Sequence, residues 1–283
     1  MSMYGDKGLL SSIRTDDNTS SLVLFLPGLS GNLYQWDLVI PKLIDVPVNL
    51  AYGAPILPHP AFGGARPTVT QLARAMSSEI RETSYDKVIV VAHSVGAFVA
   101  LGIARELPKS VQSVILINGG LSGVARFLDR PAHELLARPR TCLTALRLFV
   151  LVSAPVPSAV KRAIANSEKS SRFLLGNLVS DSALDTQARR RSLVEKAGSS
   201  KVLRALWDNR HHWNEFTCYA GDISTEVIFL VGDEDPVSSE RDTREMAAFL
   251  PHAKLSLLEG VGHAAPLETA DAVVEAIICS LNV

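Results

Sequence analysis

The chain has 283 residues, 47% of them hydrophobic and 20% charged, with a formal net charge of −1 and a sequence pI near 6.7. That apolar fraction supports a buried core of ordinary globular size and excludes an intrinsically disordered chain. A near-neutral total gives no overall attraction to nucleic acid or to an anionic membrane surface.

Short apolar runs alternate with helix-like stretches, the pattern of a mostly parallel sheet covered by helices on both faces. Leu22 to Leu26 is a buried-strand candidate stopped by Pro27-Gly28, and Val46 to Ala51 reads as a second strand. A loop rich in Pro and Gly through Pro67 leads to a helix from about Thr70 to Glu82. Val88-Ile89-Val90-Val91 has no polar alternation and is expected at the centre of the sheet. Val111 to Ile117 and Val227 to Val231 repeat that signature, and Ala253 to Leu258 follows it more loosely. From Pro266 to Leu281 apolar positions recur at helical spacing, with Pro266 suited to a first turn.

Between the strand ending near Asn118 and the one beginning near Glu226 lies a long stretch with helical periodicity and no strand signature. It reads as a helical cap, residues 119–222, inserted into a core made of 1–118 and 223–283. The insertion holds sixteen Lys and Arg against nine Asp and Glu, a formal +7, while the rest of the chain carries −8. Such a charge would draw an anionic substrate such as a coenzyme A thioester, or an acidic carrier protein; a solvated helical face is the plainer explanation. Leu143 to Val152 is apolar enough either to line a pocket for a hydrophobic group or to pack inside the cap.

Cys142, Cys218 and Cys279 are odd in number and lack Cys-x-x-Cys spacing, which suggests neither a disulfide framework nor a zinc site. A reducing cytoplasm suits them. The first residues carry charge and glycine where an export signal needs an apolar run. No uncharged apolar run of about 18 residues follows, so no membrane insertion is expected. Asn18-Thr19-Ser20 matches a glycosylation sequon and, without an export signal, reads as a polar loop.

The chemistry concentrates where the central strand runs into Ala92-His93-Ser94-Val95-Gly96 and a helix over Ala97 to Glu106 follows. Strand, sharp turn and helix form the setting of a nucleophile elbow, in which a strained serine stands at the carboxyl edge of a sheet. Small residues two places either side keep such a turn free of clashes. Ala92 occupies the place where glycine is usual, and Gly96 matches. The helix start aims backbone N–H groups at the point where negative charge develops during acyl transfer.

With these residues the sequence resembles the α/β-hydrolase family, from about Leu22 to Leu281. The resemblance implies that fold, no cofactor and no metal, and a catalytic triad in the order serine, acid, histidine. The serine is Ser94. For the acid, the Gly-x-x-Asp spacing after the strand at Val227 to Val231 selects Asp235 over Asp233, with Asp233 and Glu234 as solvated turn residues. The place one strand earlier, used by some relatives, holds Asn118-Gly119-Gly120 and no carboxylate. His263, in a glycine-containing loop after the last strand, is the base. His59, His133 and His252 read as ordinary surface or core residues, His93 as lining the elbow, and His211-His212 as no metal site because adjacent side chains diverge on a helix. Two backbone N–H groups are implied as oxyanion donors, those of Val95 and of Leu29, the latter in a Pro27-Gly28-Leu29 loop where Pro27 replaces the histidine of many relatives.

The expected activity is hydrolysis of a small, hydrophobic carboxylic ester, thioester or lactone through an acyl-enzyme. Two other classes stay open: a triad serving carbon–carbon cleavage, cyclisation or lyase chemistry, and a hydrolase-like sensor or signalling protein that turns over slowly.

Overall fold

A computed structural model describes residues 8–28, 33–123, 157–176, 178–180, 184, 187–195, 204 and 208–281. Seven strands form one sheet in the order β1-β3-β2-β4-β5-β6-β7. They are β1 (Leu10–Arg14), β2 (Ser21–Leu26), β3 (Asn49–Gly53), β4 (Lys87–His93), β5 (Val111–Ile117), β6 (Glu226–Gly232) and β7 (Ala253–Leu258). β1 runs antiparallel to β3, and every other neighbouring pair is parallel. The expectation of a mostly parallel sheet flanked by helices is met.

Parallel strands covered on both faces need no polar alternation, and β2 and β4 show why. Leu22, Leu24, Leu26, Val88, Val90 and Ala92 point into one core, packed against α1 (Val69–Arg81) and α2 (Gly96–Glu106). Val23, Phe25, Ile89 and Val91 point into the other, against α9 (Ala270–Leu281). Each of the Leu, Val, Ile and Phe side chains among them, withdrawn fully from water, contributes about 1.5–3 kcal/mol before conformational entropy is charged against it. α1 starts at a reciprocal cap: the Thr68 hydroxyl accepts the Gln71 N–H at 3.1 Å, and the Gln71 side chain accepts the Thr68 N–H at 2.9 Å.

Three elements depart from the sequence reading. β1 is an edge strand with a mixed polar pattern, so its sequence carries no periodic signal. The second expected strand begins three residues later, at Asn49, because Pro47 has no N–H to give a ladder. The last expected helix is broken at Thr269 into α8 (Ala265–Glu268) and α9.

Between β5 and β6 the described residues include α3 (Ser158–Asn166), α4 (Glu168–Leu175), α5 (Gln187–Glu195) and α6 (His212–Tyr219). Ala165, Leu175, Leu178, Val179, Leu184 and Val194 form a small core of their own. The segment before β6 is fastened to the entry of α1: Arg66 pairs with Asp208 at 2.5 Å, and the Val69 N–H donates to Asn209 at 3.0 Å. The apolar stretch Leu143 to Val152 and the histidine at 133 lie outside the described residues. α7 (Glu240–Ala247) bridges β6 and β7. Among the described residues no helix is long and apolar enough to cross a membrane.

Candidate active site

Because β4, β6 and β7 run parallel, the loops leaving their carboxyl ends open on one rim of the sheet. Ser94 leaves β4 with φ of +51°, a left-handed conformation that costs a non-glycine residue about 1–2 kcal/mol. The turn is held by the Ser94 N–H, which donates to the Ile117 carbonyl at 3.0 Å. Gly96 is required for space: a Cβ there would lie 2.8 Å from the Pro27 carbonyl oxygen and 3.1 Å from that of Leu26. Ala92 is wholly buried, and the methyl that departs from the usual glycine is accommodated. Val95 caps α2, so the free N–H groups of that helix start beside the serine.

Asp235 leaves β6 through a tight turn. Its Oδ1 accepts the Val237 N–H at 2.7 Å and the Ser238 N–H at 3.1 Å, which leaves Oδ2 aimed at the histidine. His263 Nδ1 lies 2.8 Å from Asp235 Oδ2, and His263 Nε2 lies 3.1 Å from Ser94 Oγ. An ionised carboxylate only accepts, so Nδ1 carries the proton and the neutral ring presents a bare Nε2 to the hydroxyl. The three residues singled out in the sequence therefore meet at one point. Burial disfavours the charged imidazole, but the Asp235 carboxylate, through charge and hydrogen bond, and the Glu268 carboxylate outweigh it and hold His263 above its ordinary value.

His93 lines the elbow and does more. Its ring nitrogen Nε2 donates to the His263 backbone carbonyl at 2.7 Å, and the two rings stand 5.0 Å apart. Nδ1 is then a bare acceptor, buried and without a hydrogen-bond partner among the described residues. Burial, with the nearby positive form of His263, pushes His93 down to about 3 against the opposing pull of the carbonyl bond and Asp235. It stays neutral wherever the protein is folded near neutral pH.

Four further residues hold the rim, and the sequence reading passed over their roles. Asn118, at +48° in φ and fully buried, accepts the Gly232 N–H at 2.9 Å and donates to the Gly262 carbonyl at 2.8 Å, tying β5 to β6 and to the histidine loop. Asp233, expected as a solvated turn residue, is exposed but accepts the Gly260 and Val261 N–H groups at 2.8 and 3.3 Å. Glu268 accepts N–H groups on both sides of His263, from Gly262 at 2.8 Å and Ala264 at 2.9 Å. Leu178 offers its carbonyl to the His263 N–H at 2.6 Å. A helix start with Pro266 followed by an acid is a sequence signal for Glu268, since an acid in a first turn finds free N–H groups. No pattern in the sequence marks Leu178, because its contribution is a backbone atom.

The expected donor Leu29 lies outside the described residues. His59 is buried, and its Nδ1 accepts the Ala61 N–H at 3.2 Å, a structural role. Among the described residues no three His, Cys, Asp or Glu side chains cluster as a metal site would require.

An open parallel sheet with a strained serine, an imidazole and a buried carboxylate on its carboxyl rim defines a class of fold and site. Residues 23–276 match the alpha/beta hydrolase family, and the chain belongs to it. It is 23% identical over 199 residues to 2-hydroxy-6-oxononadienedioate/2-hydroxy-6-oxononatrienedioate hydrolase 1 of Dechloromonas aromatica, a match covering 70% of this chain and 63% of that relative. It is 22% identical over 275 residues to Lipase 3 of Moraxella sp., covering 93% of this chain and 78% of the relative. The fold is shared with a hydrolase from Pseudomonas aeruginosa, at a TM-score of 0.65 and 17% identity, over 97% of this chain and 94% of that one.

Proposed function

We propose that the protein is a serine hydrolase that cleaves a small carboxylic ester, thioester or lactone, with Ser94 as nucleophile, His263 as base and Asp235 as its orienting partner. The observation that carries this reading is the single imidazole bridging Asp235 at 2.8 Å and Ser94 at 3.1 Å. In the first step Nε2 of His263 takes the Ser94 proton as Oγ attacks the carbonyl carbon, and Asp235 stabilises the imidazolium that forms. The oxyanion is received by the Val95 N–H at the start of α2, with Leu29 as second donor. His263 then returns its proton to the leaving group, and water, activated by the same nitrogen, releases the acid.

In this proposal the insertion at 119–222 serves as a cap over the rim and selects a hydrophobic acyl group; its positive charge favours an anionic thioester or an acidic carrier. Hydrolysis compared across charged and neutral thioesters at rising salt tests that part: equal responses would remove it. Carbon–carbon bond cleavage is a second reading, favoured by the oxo-dienedioate named as substrate of the Dechloromonas relative.

The main test is covalent. A fluorophosphonate should add to the Ser94 peptide, p-nitrophenyl esters should turn over, and Ser94→Ala should remove turnover by several orders of magnitude. Activity that survives the substitution would refute the mechanism. Labelling without turnover on a broad ester panel would favour the second reading.

A further inference from the structure

The bridging imidazole leaves one nearby carboxylate unexplained. Glu268 Oε2 accepts the Gly262 N–H and the Ser180 N–H, each at 2.8 Å, and Oε1 accepts the Ala264 N–H at 2.9 Å. Gly262 and Ala264 flank His263, whereas Ser180 belongs to the insertion between β5 and β6. A second bond joins the same two segments, from the His263 N–H to the Leu178 carbonyl at 2.6 Å. The backbone donors of residues 262, 263 and 264 are thus all engaged by Glu268 or by the insertion. There is no slack between them: a Cβ on Gly262 would lie 2.7 Å from Val179 Cα and 2.9 Å from the Leu178 carbonyl oxygen.

We propose that Glu268 is a positioning residue that fastens the insertion segment Leu178–Ser180 to the His263 loop, so that the seating of the insertion sets the reach of the imidazole toward Ser94. The proposal rests on the reading of His263 as the base. One carboxylate holding donors from both segments is a shared anchor, and charged hydrogen bonds of this kind are stronger than neutral ones. A substrate that displaces residues 178–180 then displaces the base as well.

The negative charge of Glu268 has its own effect. The titratable groups facing His263 among the described residues are Asp235 from the loop after β6, His93 from β4 and Glu268 from α8. Asp235 and Glu268 favour the imidazolium, and a charged His93 would oppose it. Removing the Glu268 charge therefore lowers the pH at which His263 becomes a neutral base.

The experiment measures the rate of fluorophosphonate labelling at Ser94 against pH for wild type, Glu268→Gln and Glu268→Asp, together with amide hydrogen exchange of all three proteins. In Glu268→Gln the acid limb should move to lower pH, the plateau rate should fall about 10- to 100-fold, and peptides containing 178–180 and 262–264 should lose protection together. Glu268→Asp keeps the charge but shortens the reach, so its acid limb should stay nearer wild type while its plateau falls. An unmoved acid limb in Glu268→Gln, or lost protection at 262–264 with 178–180 unchanged, would overturn the proposal. Failure of wild-type Ser94 to label would overturn the reading of the site instead. The exchange result needs no chemistry and would still decide whether Glu268 links the two segments.

Discussion

Asn118 and Gly262 are 144 residues apart in the chain, yet the Asn118 side-chain amide donates to the Gly262 carbonyl at 2.8 Å. Its other end accepts the Gly232 N–H, so one buried side chain joins the turns after β5 and β6 to the loop that carries His263. Asn118→Asp replaces the donor with a carboxylate oxygen facing a carbonyl. It should cost at least about 1–3 kcal/mol in urea unfolding and slow Ser94 labelling. Wild-type stability in this variant would show that the amide does not hold the loop.

At Ser94 the positive φ reverses an ordinary ranking. Glycine normally costs about 0.5–1 kcal/mol relative to alanine, but in a left-handed turn it escapes the penalty that a Cβ incurs. Both variants lose the hydroxyl equally. Ser94→Gly should therefore unfold at the same or higher urea concentration than Ser94→Ala, and the opposite order would contradict a strained elbow.

The turn after β6 constrains what Asp235→Asn can do. The amide oxygen is claimed by the Val237 and Ser238 N–H groups, so the NH2 group is left facing His263 Nδ1, where a donor meets a donor. The imidazole must then move its proton to Nε2 and lose its capacity to accept from Ser94. Ester turnover should fall by about 10⁴-fold with the fold intact. A decrease of less than tenfold would argue that another group orients the ring.

His93 makes a prediction about acid stability. Its folded value near 3 lies below the value of about 6.5 for an unfolded histidine. Between those limits the unfolded chain binds a proton that the folded chain refuses, so stability is lost as pH falls, by up to about 1.4 kcal/mol per pH unit. His263, raised above its ordinary value, acts in the other direction and above that window: the stability it contributes is present at low pH and lost as pH rises through its folded value. His93→Gln keeps a donor for the His263 carbonyl and removes the titration. Its unfolding free energy should depend less steeply on pH below 6.5, and an unchanged slope would show that His93 is already protonated in the folded protein.

Much of this arrangement could be read from the residues alone, because its strongest elements are local. β4 is a run of β-branched residues that only a doubly covered strand tolerates, and Ser94 and Gly96 stand directly after it. Val227 to Val231 leads to Asp235 and Ala253 to Leu258 leads to His263 in the same way. The supports were harder to see. Asn118, Glu268 and Asp233 work by accepting backbone N–H groups from distant loops or from turns. Asn118 and Asp233, beside glycines, look like ordinary turn residues until the partners are placed, and the first-turn position of Glu268 marks an N–H acceptor without saying which N–H groups it meets. β1 carries no signal because an edge strand with one neighbour needs no apolar pattern. The sequence places His93 at the elbow, but its bond to a carbonyl on another loop depends on a ring orientation that no spacing encodes.

The order of strands has a consequence for how the protein is made. Ser94 follows directly on β4, whereas the imidazole that faces it arrives beyond β7, the last of the seven described strands and the outermost on its side of the sheet. A polypeptide that has left the ribosome through β4 but not through β7 can form the bent turn with its hydroxyl before any imidazole stands opposite it. The pairing of that hydroxyl with the imidazole therefore forms only once the segment after β7 has docked, and it reports that β7 has joined the sheet.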